Sequence, residues 1–439
     1  MSHHSQRVNF HATLRAAVSA LVIVFAMTVV AVSAMQAQTF TVIHSFTGGG
    51  DGSYPASNLV MDKAGNLYGT TGGGGNPGCG GYCGTVFRLK YLNSGWVLTP
   101  LYRFQGGTDG IGPLAGVVLG PDGSLYGTTG EGGNGACNGV GCGTVYQLRP
   151  SPTRPRTPLD PWKETVLYRF SGDADGARPE SDLIFDQAGN LYGTTYLGGQ
   201  FGMYCSTGCG VAFELVPSGG TWTESVIHAF LGYDQDGQFP TSGMTFDAAG
   251  NLYGTTFQGG TIGNGTVYEL TPSGSGWTST ALHNFDPEQT YGIDPMGGVI
   301  FDSAGNLYAA TSSGAGSADD ALSVFQMTLS SGKWTLHPLY TMDRSSGGFY
   351  GPWGRLTMDA AGSLYGTTYA YGVYGLGSVF KLTYSNGSWI PTVLHDFTGG
   401  ADGGSPQAGV TLDANGNIYG TAFRGGSGEG YGVVWEITP

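Results

Sequence analysis

A single motif recurs seven times along the chain, and its spacing constrains the fold more than any other feature of the sequence. One complete copy, DAAGNLYGTTFQGG, covers residues 247–260. In every copy a tyrosine lies six residues after the first position and a proline, here called the register proline, lies seven residues before it. The copies begin at Asp62, Gly120, Asp186, Asp247, Asp302, Asp359 and Asp413. Because a period of 54 to 66 residues continues to the C-terminus, the sequence predicts one closed array of repeats.

Each repeat reads as four short β-strands. Between residues 222 and 271, TWTESVIHAF predicts an outer strand, and TSGMTFD, LYGTTF and GTVYELTP predict three more, separated by loops rich in glycine, aspartate and asparagine. The 81 glycines and the 12% of aromatic residues are typical of tight turns between aromatic-rich strands. After the N-terminus, no long stretch has apolar residues at the three- and four-residue spacing of a helix. We therefore expect an all-β, seven-bladed β-propeller of four-stranded antiparallel blades.

The two ends of the repeat array complement each other. Residues 39–46, TFTVIHSF, read as an outer strand, and the chain ends on a different strand of the repeat, GVVWEITP. We expect residues 39–46 to pair with residues 432–438, because this pairing closes the ring and removes the exposed sheet edges. The propeller would then be a single domain covering residues 39–439.

The N-terminal 37 residues have the pattern of a secretory signal peptide. Arg7 and Arg15 precede an apolar run over residues 16–34, with small residues near its end. Cleavage is expected after Ala34 or Ala37, and an uncleaved membrane anchor is the alternative. Cleavage would place the protein in the periplasm or outside the cell.

The charge balance excludes some classes of partner. The chain has 17 basic and 31 acidic residues, and only 11% of its residues are charged. Such a surface repels phosphate backbones and anionic lipids, so we expect neither a nucleic acid nor, after signal cleavage, a membrane as a partner. Extracellular glycans and proteins remain as candidates, and the protein is expected to be a monomer.

All six cysteines lie in the glycine-rich loops of the first three repeats. In an exported chain their local pairs predict three disulfides, Cys79–Cys83, Cys137–Cys142 and Cys205–Cys209. A metal site that combines pairs from adjacent loops is the alternative. It is disfavoured because the spacing differs from that of zinc knuckles and because no histidine falls in these loops.

The outer strands carry a histidine or tyrosine two residues before their last aromatic residue or methionine. We call these residues the rim set: His44, Tyr102, Tyr168, His228, His283, Tyr340 and His395. Each belongs to a different blade, so a shared metal site is excluded by distance. Their exchange between histidine and tyrosine predicts an amphipathic packing role.

An Asp-Gly pair precedes the register proline in five repeats. These Asp-Gly loops should share one face with the glycine-rich loops, around the central channel, where a ligand would bind. The candidate binding residues are Asp51, Asp109, Asp175, Asp236 and Asp402. Calcium or a sugar is the candidate ligand. The alternative is that each aspartate only caps its own turn, since the loops lack the alternating oxygen ligands of an EF-hand.

The sequence contains no recognisable catalytic set. It has no GxSxG elbow, no HExxH pair and no nucleotide-binding loop, and it predicts no metal or cofactor other than calcium. Glu131 and Asp109, beside repeat two, are the one acid/base pair considered. The sequence therefore favours a binding protein over an enzyme.

The motifs DxxGNLYGTTxxGG and GTVFxL, in tandem behind a signal peptide, resemble the choice-of-anchor tandem repeat GloVer-containing family of secreted bacterial proteins. The resemblance covers residues 39–439 and implies export and tandem repeats without an established activity. We therefore expect a secreted module that binds a glycan or a protein. The alternatives are a lyase or hydrolase acting on a polysaccharide or lactone at the channel mouth, and a structural envelope component. Histidine, glutamate or arginine converging on the channel would favour the enzyme, whereas glycine, threonine and backbone would favour binding.

Overall fold

The structure is a computed structural model of the 439-residue chain. It describes residues 38–93, 95–150, 162–202, 205–232, 236–274, 276–288, 292–313, 322–342 and 351–439. The chain divides into two units, residues 1–39 with Pro439 and residues Phe40–Thr438. The predicted signal peptide, residues 1–37, lies outside the described residues, and the second unit is the propeller. No helix in the described part has the length and apolarity needed to span a bilayer.

Seven four-stranded antiparallel sheets form the blades of the propeller, as the sequence predicted. From the axis outward, their strands are as follows: blade 1, β2 (Val60–Met61), β3 (Leu67–Thr71), β4 (Thr85–Leu92), β5 (Gly95–Arg103); blade 2, β6 (Val118–Leu119), β7 (Leu125–Thr129), β8 (Thr144–Arg149), β9 (Lys163–Arg169); blade 3, β10 (Ile184–Phe185), β11 (Leu191–Thr195), β12 (Val211–Ser218), β13 (Thr221–Ala229); blade 4, β15 (Thr245–Phe246), β16 (Leu252–Thr256), β18 (Thr266–Ser273), β19 (Gly276–Asn284); blade 5, β20 (Ile300–Phe301), β21 (Leu307–Ala310), β22 (Leu322–Ser330), β23 (Lys333–Met342); blade 6, β24 (Thr357–Met358), β25 (Leu364–Thr368), β26 (Ser378–Ser385), β27 (Ser388–Asp396); blade 7, β28 (Thr411–Leu412), β29 (Ile418–Ala422), β30 (Val433–Thr438), β1 (Thr39–Ser45). A separate two-stranded sheet pairs β14 (Gly237–Gln238) with β17 (Gln258–Gly259), and the described 3-10 helices are η1 (Pro77–Cys79) and η2 (Gly107–Asp109).

The N-terminal strand closes the ring. Strand β1 is the outermost strand of the last blade, and it is hydrogen-bonded to β30. Just after β1, the Phe46 N–H donates to the Gly432 carbonyl oxygen at 3.0 Å. The predicted pairing of the two chain ends is therefore confirmed. Strand β1 covers the edge of β30 that would otherwise be unpaired.

The repeated motif builds a turn and then a buried strand. In blade 1, the Asp62 carboxylate accepts hydrogen bonds from the N–H groups of Ala64 at 2.8 Å and Asn66 at 2.9 Å. The Tyr68 hydroxyl donates to the same carboxylate at 3.0 Å. The glycine that follows has a packing role, because a Cβ at Gly69 would lie 2.6 Å from the Phe87 ring of the next strand.

Tyrosine and tryptophan side chains join neighbouring blades. The motif tyrosine of blade 2, Tyr126, contacts Phe185 and Trp222 of blade 3, with ring centroids 5.0 Å and 6.2 Å apart. The same contact closes the ring, because Tyr419 of blade 7 lies 5.6 Å from Trp96 of blade 1. The regular tryptophan spacing therefore reflects blade-to-blade packing, and each interface buries its own apolar cluster.

The innermost strands are shorter than the sequence predicted. The segment TSGMTFD was expected to form a strand, but its ladder with β16 contains only Thr245 and Phe246. Near the axis these segments bind neighbouring blades instead: the Thr245 hydroxyl donates to the Val299 carbonyl oxygen at 2.7 Å. Gly409 lies so close to blade 6 that a Cβ there would collide with the Arg355 carbonyl oxygen. The residues after each register proline therefore line the channel.

Candidate functional site

The Asp-Gly loops and the glycine-rich loops share one face of the propeller. Ser53 pairs with Gly73 in blade 1, and Ile111 pairs with Glu131 in blade 2. In blade 4 the same contact is the β14–β17 sheet. The expected common face is confirmed, and we call it the loop face. The opposite face carries the DxxGN turns.

The three predicted disulfides are present on this face. Their Cα atoms are 5.7 Å apart in Cys79–Cys83, 5.3 Å in Cys137–Cys142 and 5.2 Å in Cys205–Cys209. Each disulfide packs beneath the Asp-Gly loop of the next blade, and a Cβ at Gly106 would lie 3.2 Å from both sulfurs of the first pair. The disulfides therefore fix the loops between blades 1 to 4.

The five candidate aspartates direct their carboxylates into their own loops. Asp51 accepts a hydrogen bond from the Thr47 N–H at 3.0 Å, and its Oδ2 lies 3.1 Å from Nε2 of His44. Although burial opposes ionisation, the hydrogen bonds from His44 and Thr47 hold the pKa of Asp51 below its usual value. Equivalent bonds from the rim set and from a loop N–H reach Asp109, Asp175, Asp236 and Asp402.

These contacts describe the turn-capping role that the sequence offered as the alternative to ligand binding. The rim set also has a role beyond the predicted packing, because a rim histidine or tyrosine contacts the aspartate seven or eight residues later. The similar spacing of the two residues in each pair was the signal in the sequence. In the described part of the chain, no three His, Cys, Asp or Glu side chains lie together in a way that could hold a metal ion.

A cavity of about 100 Å³ lies on the propeller axis, where the segments after the register prolines converge. The first residues after the seven prolines contribute Ala56, Leu114, Glu180, Thr241, Met296, Trp353 and Gln407. The third residues contribute Asn58, Asp182, Gly243 and Arg355. A strand rises about 3.3 Å per residue, so the third residues lie roughly 7 Å deeper from the loop face and form the cavity floor.

A hydrogen-bond network fixes two polar side chains of the floor. Asn58 donates its amide N–H to Asp182 at 2.7 Å and accepts the Gly409 N–H at 2.7 Å. Asp182 also accepts the Gly116 N–H at 2.7 Å. The network joins blades 1, 2, 3 and 7, so these groups are held rigidly below the cavity.

Arg355 of blade 6 reaches across the floor to blade 4. Its Nη2 donates to the Met244 carbonyl oxygen at 3.1 Å, to the Gly243 carbonyl oxygen at 3.5 Å and to the Thr245 hydroxyl. Burial lowers the pKa of the guanidinium, and the charge of Asp182 opposes that shift. No carboxylate oxygen lies within 4.0 Å of Arg355 among the described residues.

A carboxylate lies nearer the loop face. Oε1 of Glu180 accepts from Arg178 Nε at 3.0 Å and lies 2.8 Å from Arg178 Nη2. Burial raises the pKa of Glu180; Arg178 opposes this shift, and Glu131 adds to it. The channel thus contains converging glutamate, aspartate and arginine side chains that the sequence analysis did not identify. Glutamate and arginine at the channel are among the residues that were expected to favour an enzyme over a binding protein.

Three aromatic pairs lie on the loop face. Trp353 lines the cavity, and Tyr54 and Phe423 line a groove beside it. Tyr54 lies 5.2 Å from Phe423, and Tyr196 lies 4.9 Å from Phe239. Trp353 stacks on Tyr369 at 4.2 Å with an interplanar angle of 6°. Tyr54 and Phe239, which directly precede register prolines, have φ angles of 60° and 57°. Arg178, Asp294 and Ser405 also have positive φ angles directly before their register prolines, so this conformation belongs to the repeat and does not by itself mark a ligand site.

A groove of about 510 Å³ runs from the cavity towards the interface of blades 7 and 1. Tyr54, Tyr82, Phe423 and Arg424 line it, and Leu114 borders both the groove and the cavity. The Tyr82 side chain is 71% exposed. The site is therefore a small polar cavity that continues into an aromatic groove.

Together these features define a seven-bladed β-propeller with a concave site at the axis of its loop face. The chain belongs to the Gloeobacter/Verrucomicrobia repeat family, because residues 27–204, 141–317 and 289–439 match the sequence model of that family. This match bears out the resemblance found in the sequence. No curated protein matches the chain by sequence.

Several solved structures are similar to the chain. A xyloglucanase from Xanthomonas campestris has a TM-score of 0.50 and 14% identity, over 88% of this chain and 54% of that chain. An ulvan lyase with a bound saccharide has a TM-score of 0.48 and 11% identity, over 78% and 85% of the two chains. A glucose dehydrogenase-type oxidoreductase from Thermus thermophilus has a TM-score of 0.43 and 14% identity, over 91% and 99%. At these identities the similarity concerns the fold alone.

Proposed function

We propose that the protein is an exported carbohydrate-binding propeller whose ligand enters the axial cavity from the loop face. The observation that carries this proposal is the combination of the aromatic side chains of Trp353, Tyr54 and Phe423 with a cavity floor of amide, carboxylate and guanidinium groups. Aromatic faces pack against the apolar faces of sugar rings, and the fixed polar groups would hydrogen-bond the hydroxyl groups. Small-ligand sites have this mixture of aromatic walls and a few oriented polar groups.

The shape of the site favours a saccharide over a protein partner. A cavity of about 100 Å³ that continues into a groove of about 510 Å³ is concave and narrow. A stable protein interface instead needs roughly 800 Å² of complementary surface on each partner. A short oligosaccharide would place one residue in the cavity and the next residues along Tyr54 and Phe423.

Two features support the proposed export. The N-terminal 37 residues have the pattern of a signal peptide. The three disulfides would persist only in an oxidising compartment, such as the periplasm or the extracellular space. The ligand would therefore be an extracellular or periplasmic glycan.

A second candidate function is a lyase or hydrolase that acts on the same class of ligand. It is favoured by Glu180, whose pKa burial raises, since a carboxyl group with a raised pKa is suited to act as a general acid. Arg178 weakens this candidate, because its two short contacts stabilise the ionised form of Glu180. Release of new reducing ends or of unsaturated sugars would identify the enzyme; binding without product would identify the binding protein.

The test is calorimetric titration of residues 38–439 with a panel of oligosaccharides, repeated with Tyr54→Ala and Phe423→Ala, two residues that line the groove. We expect at least one saccharide to bind and each substitution to weaken binding by tenfold or more. Tyr384→Ala is the matched control, because Tyr384 is an exposed aromatic residue on strand β26, outside the cavity and groove linings. A folded protein that binds no saccharide would overturn the proposal and leave a protein partner or a structural role.

A further inference from the structure

We infer that the axial cavity selects an acidic saccharide, whose oxyanion is bound by Arg355 at the cavity floor. This inference rests on the proposed carbohydrate-binding function and deepens it by naming the ligand class. The shared chemistry is a sugar that carries a carboxylate or a sulfate group.

The bonding of Arg355 leaves donors for such a group. All of its protein hydrogen bonds in the described residues come from one nitrogen, Nη2, and all of the acceptors are neutral oxygens. Nε and Nη1 have no protein acceptor there. Neither nitrogen belongs to the fully buried polar atoms that lack a partner, so both keep some exposed surface. Since Arg355 lines the cavity, these donors are accessible from it. A carboxylate or sulfate oxygen in the cavity would form charge-assisted hydrogen bonds with them.

The carboxylates near Arg355 are already occupied by other donors. Asp182 accepts from Asn58 and from the Gly116 N–H, and Glu180 accepts from Arg178. Asp182 does favour the charged form of Arg355 electrostatically. It lies more than 4.0 Å from the guanidinium, however, so it provides no direct ion pair. A guanidinium surrounded by protein and bonded only to neutral oxygens gains from an incoming anion.

The seven-fold repeat makes Arg355 exceptional. At the third position after the register proline, four blades have glycine, at Gly116, Gly243, Gly298 and Gly409, and two have Asn58 and Asp182. Only blade 6 has a cation at this position. The glycines allow neighbouring blades to approach closely at the floor, where a Cβ at Gly243 or Gly409 would collide with the backbone. The single guanidinium defines one orientation for a ligand end group in a channel that is otherwise nearly symmetric.

The charge of the whole chain limits the ligand further. A formal net charge of −14 repels a long polyanion before it reaches the channel. A saccharide with one acidic group, or with widely spaced acidic groups, would avoid most of this repulsion. Arg424 in the groove adds local positive charge where the ligand would enter, whereas the charge of Arg178 is balanced by Glu180.

The experiment compares three matched probes in calorimetric titration of residues 38–439: a neutral trisaccharide, the same trisaccharide with a terminal uronic acid, and the same trisaccharide with a terminal sulfate. We expect one of the acidic probes to bind at least tenfold more tightly than the neutral probe, and the uronate and sulfate arms identify which. Arg355→Gln should remove this preference, and Arg355→Lys should retain part of it. Arg103→Gln is the matched control, because Arg103 is an exposed arginine of β5 that binds the Gly50 carbonyl oxygen.

Each outcome bears on one claim. Equal binding of neutral and acidic probes would overturn this inference and leave the carbohydrate-binding proposal standing. Binding of none of the probes, together with a negative oligosaccharide panel, would overturn both. An acidic preference that persists in folded Arg355→Gln would overturn the role of Arg355. If that variant does not fold, the comparison of probes on the wild-type chain still decides the ligand class.

Discussion

Glu164 of blade 2 and Asp109 of the preceding loop each keep one buried carboxylate oxygen without a protein hydrogen bond in the described part of the chain. Burial, and then the charge of Asp109, raises the pKa of Glu164 to about 7. Blade 3 repeats the arrangement, because burial and the charge of Asp175 raise the pKa of Glu224 to about 7. Two neighbouring blade interfaces thus contain a carboxyl group that favours its protonated form.

The first prediction concerns stability and pH. Between the ordinary pKa of 4.5 and the folded pKa of about 7, the folded state keeps protons on Glu164 and Glu224 that the unfolded state has lost. The free energy of unfolding should therefore fall as the pH rises from about 4.5 to about 7, and these two groups should cause no further change above that range. Glu164→Gln removes one ionisation and should stabilise the protein by about 1 to 2 kcal/mol at pH 8, after allowance for partial solvent screening.

Denaturant unfolding at pH 4.5 and pH 8 measures this effect. At pH 4.5 the Glu164→Gln protein should match the wild type within roughly 0.5 kcal/mol. The exposed Glu288→Gln should show no difference at either pH and serves as the control. If Glu164→Gln lowered the free energy of unfolding by the same amount at both pH values, the raised pKa assigned to Glu164 would be contradicted.

A second prediction concerns the capped Asp-Gly loops. Asp175 accepts the Ser171 N–H at 2.8 Å and the Tyr168 hydroxyl at 3.0 Å, so Asp175→Ala removes two hydrogen bonds to a charged acceptor. The substitution should cost about 1 to 3 kcal/mol of stability. Asp173→Ala, two residues away in the same loop, removes an exposed carboxylate and should be nearly neutral. Similar losses in the two variants, measured by denaturant unfolding, would show that the cap contributes little.

The third prediction concerns calcium, the cofactor considered from the sequence. The carboxylates of Asp51 and Asp402 already accept hydrogen bonds from Thr47 and Thr398 as well as from a rim histidine. We expect millimolar calcium to leave the melting temperature of residues 38–439 unchanged, with magnesium as the control. A calcium-specific rise that Asp402→Ala abolishes would instead identify these loops as ligands.

A fourth prediction concerns the disulfides. Each closes a short segment, with a sequence separation of 4 or 5 residues, so loss of one should cost about 2 kcal/mol in the chain-entropy model. Paired substitution of Cys79 and Cys83 by serine should lower the melting temperature while the β-sheet circular dichroism is preserved. The fold should survive because the blade interfaces, such as Tyr126 against Trp222, do not depend on the disulfides. Complete unfolding of this variant would contradict that view.

The repeat made the fold predictable from sequence. Seven copies of one motif at similar spacing indicated seven blades, and the tryptophan register was explained by contacts such as Tyr419 with Trp96. The local cysteine pairs also predicted the disulfides, because residues four or five positions apart need little knowledge of the tertiary fold. The shortened inner strands were missed, because the approach of Gly409 to Arg355 depends on how the blades meet at the axis.

The cavity could not be predicted in the same way. Repetition was the main signal in the sequence, and the residues that distinguish the cavity are those that differ among repeats. Asn58 and Asp182 are 124 residues apart in the chain, and their hydrogen bond exists only because the ring brings their blades together. The link between His44 and Asp51, by contrast, was visible as a spacing of seven residues that recurs, with eight residues between His228 and Asp236. It was missed because the two positions were considered separately.

The central claim is that a saccharide binds at the axis of the loop face. Hydrogen–deuterium exchange of residues 38–439, with and without a saccharide that binds in the calorimetric panel, tests its location most directly. The account predicts slower exchange in the segments that follow the register prolines, residues 54–58, 178–182 and 351–355, with no change in the opposite turn at residues 62–66. Protection confined to that turn, or to the outer strands, would contradict it.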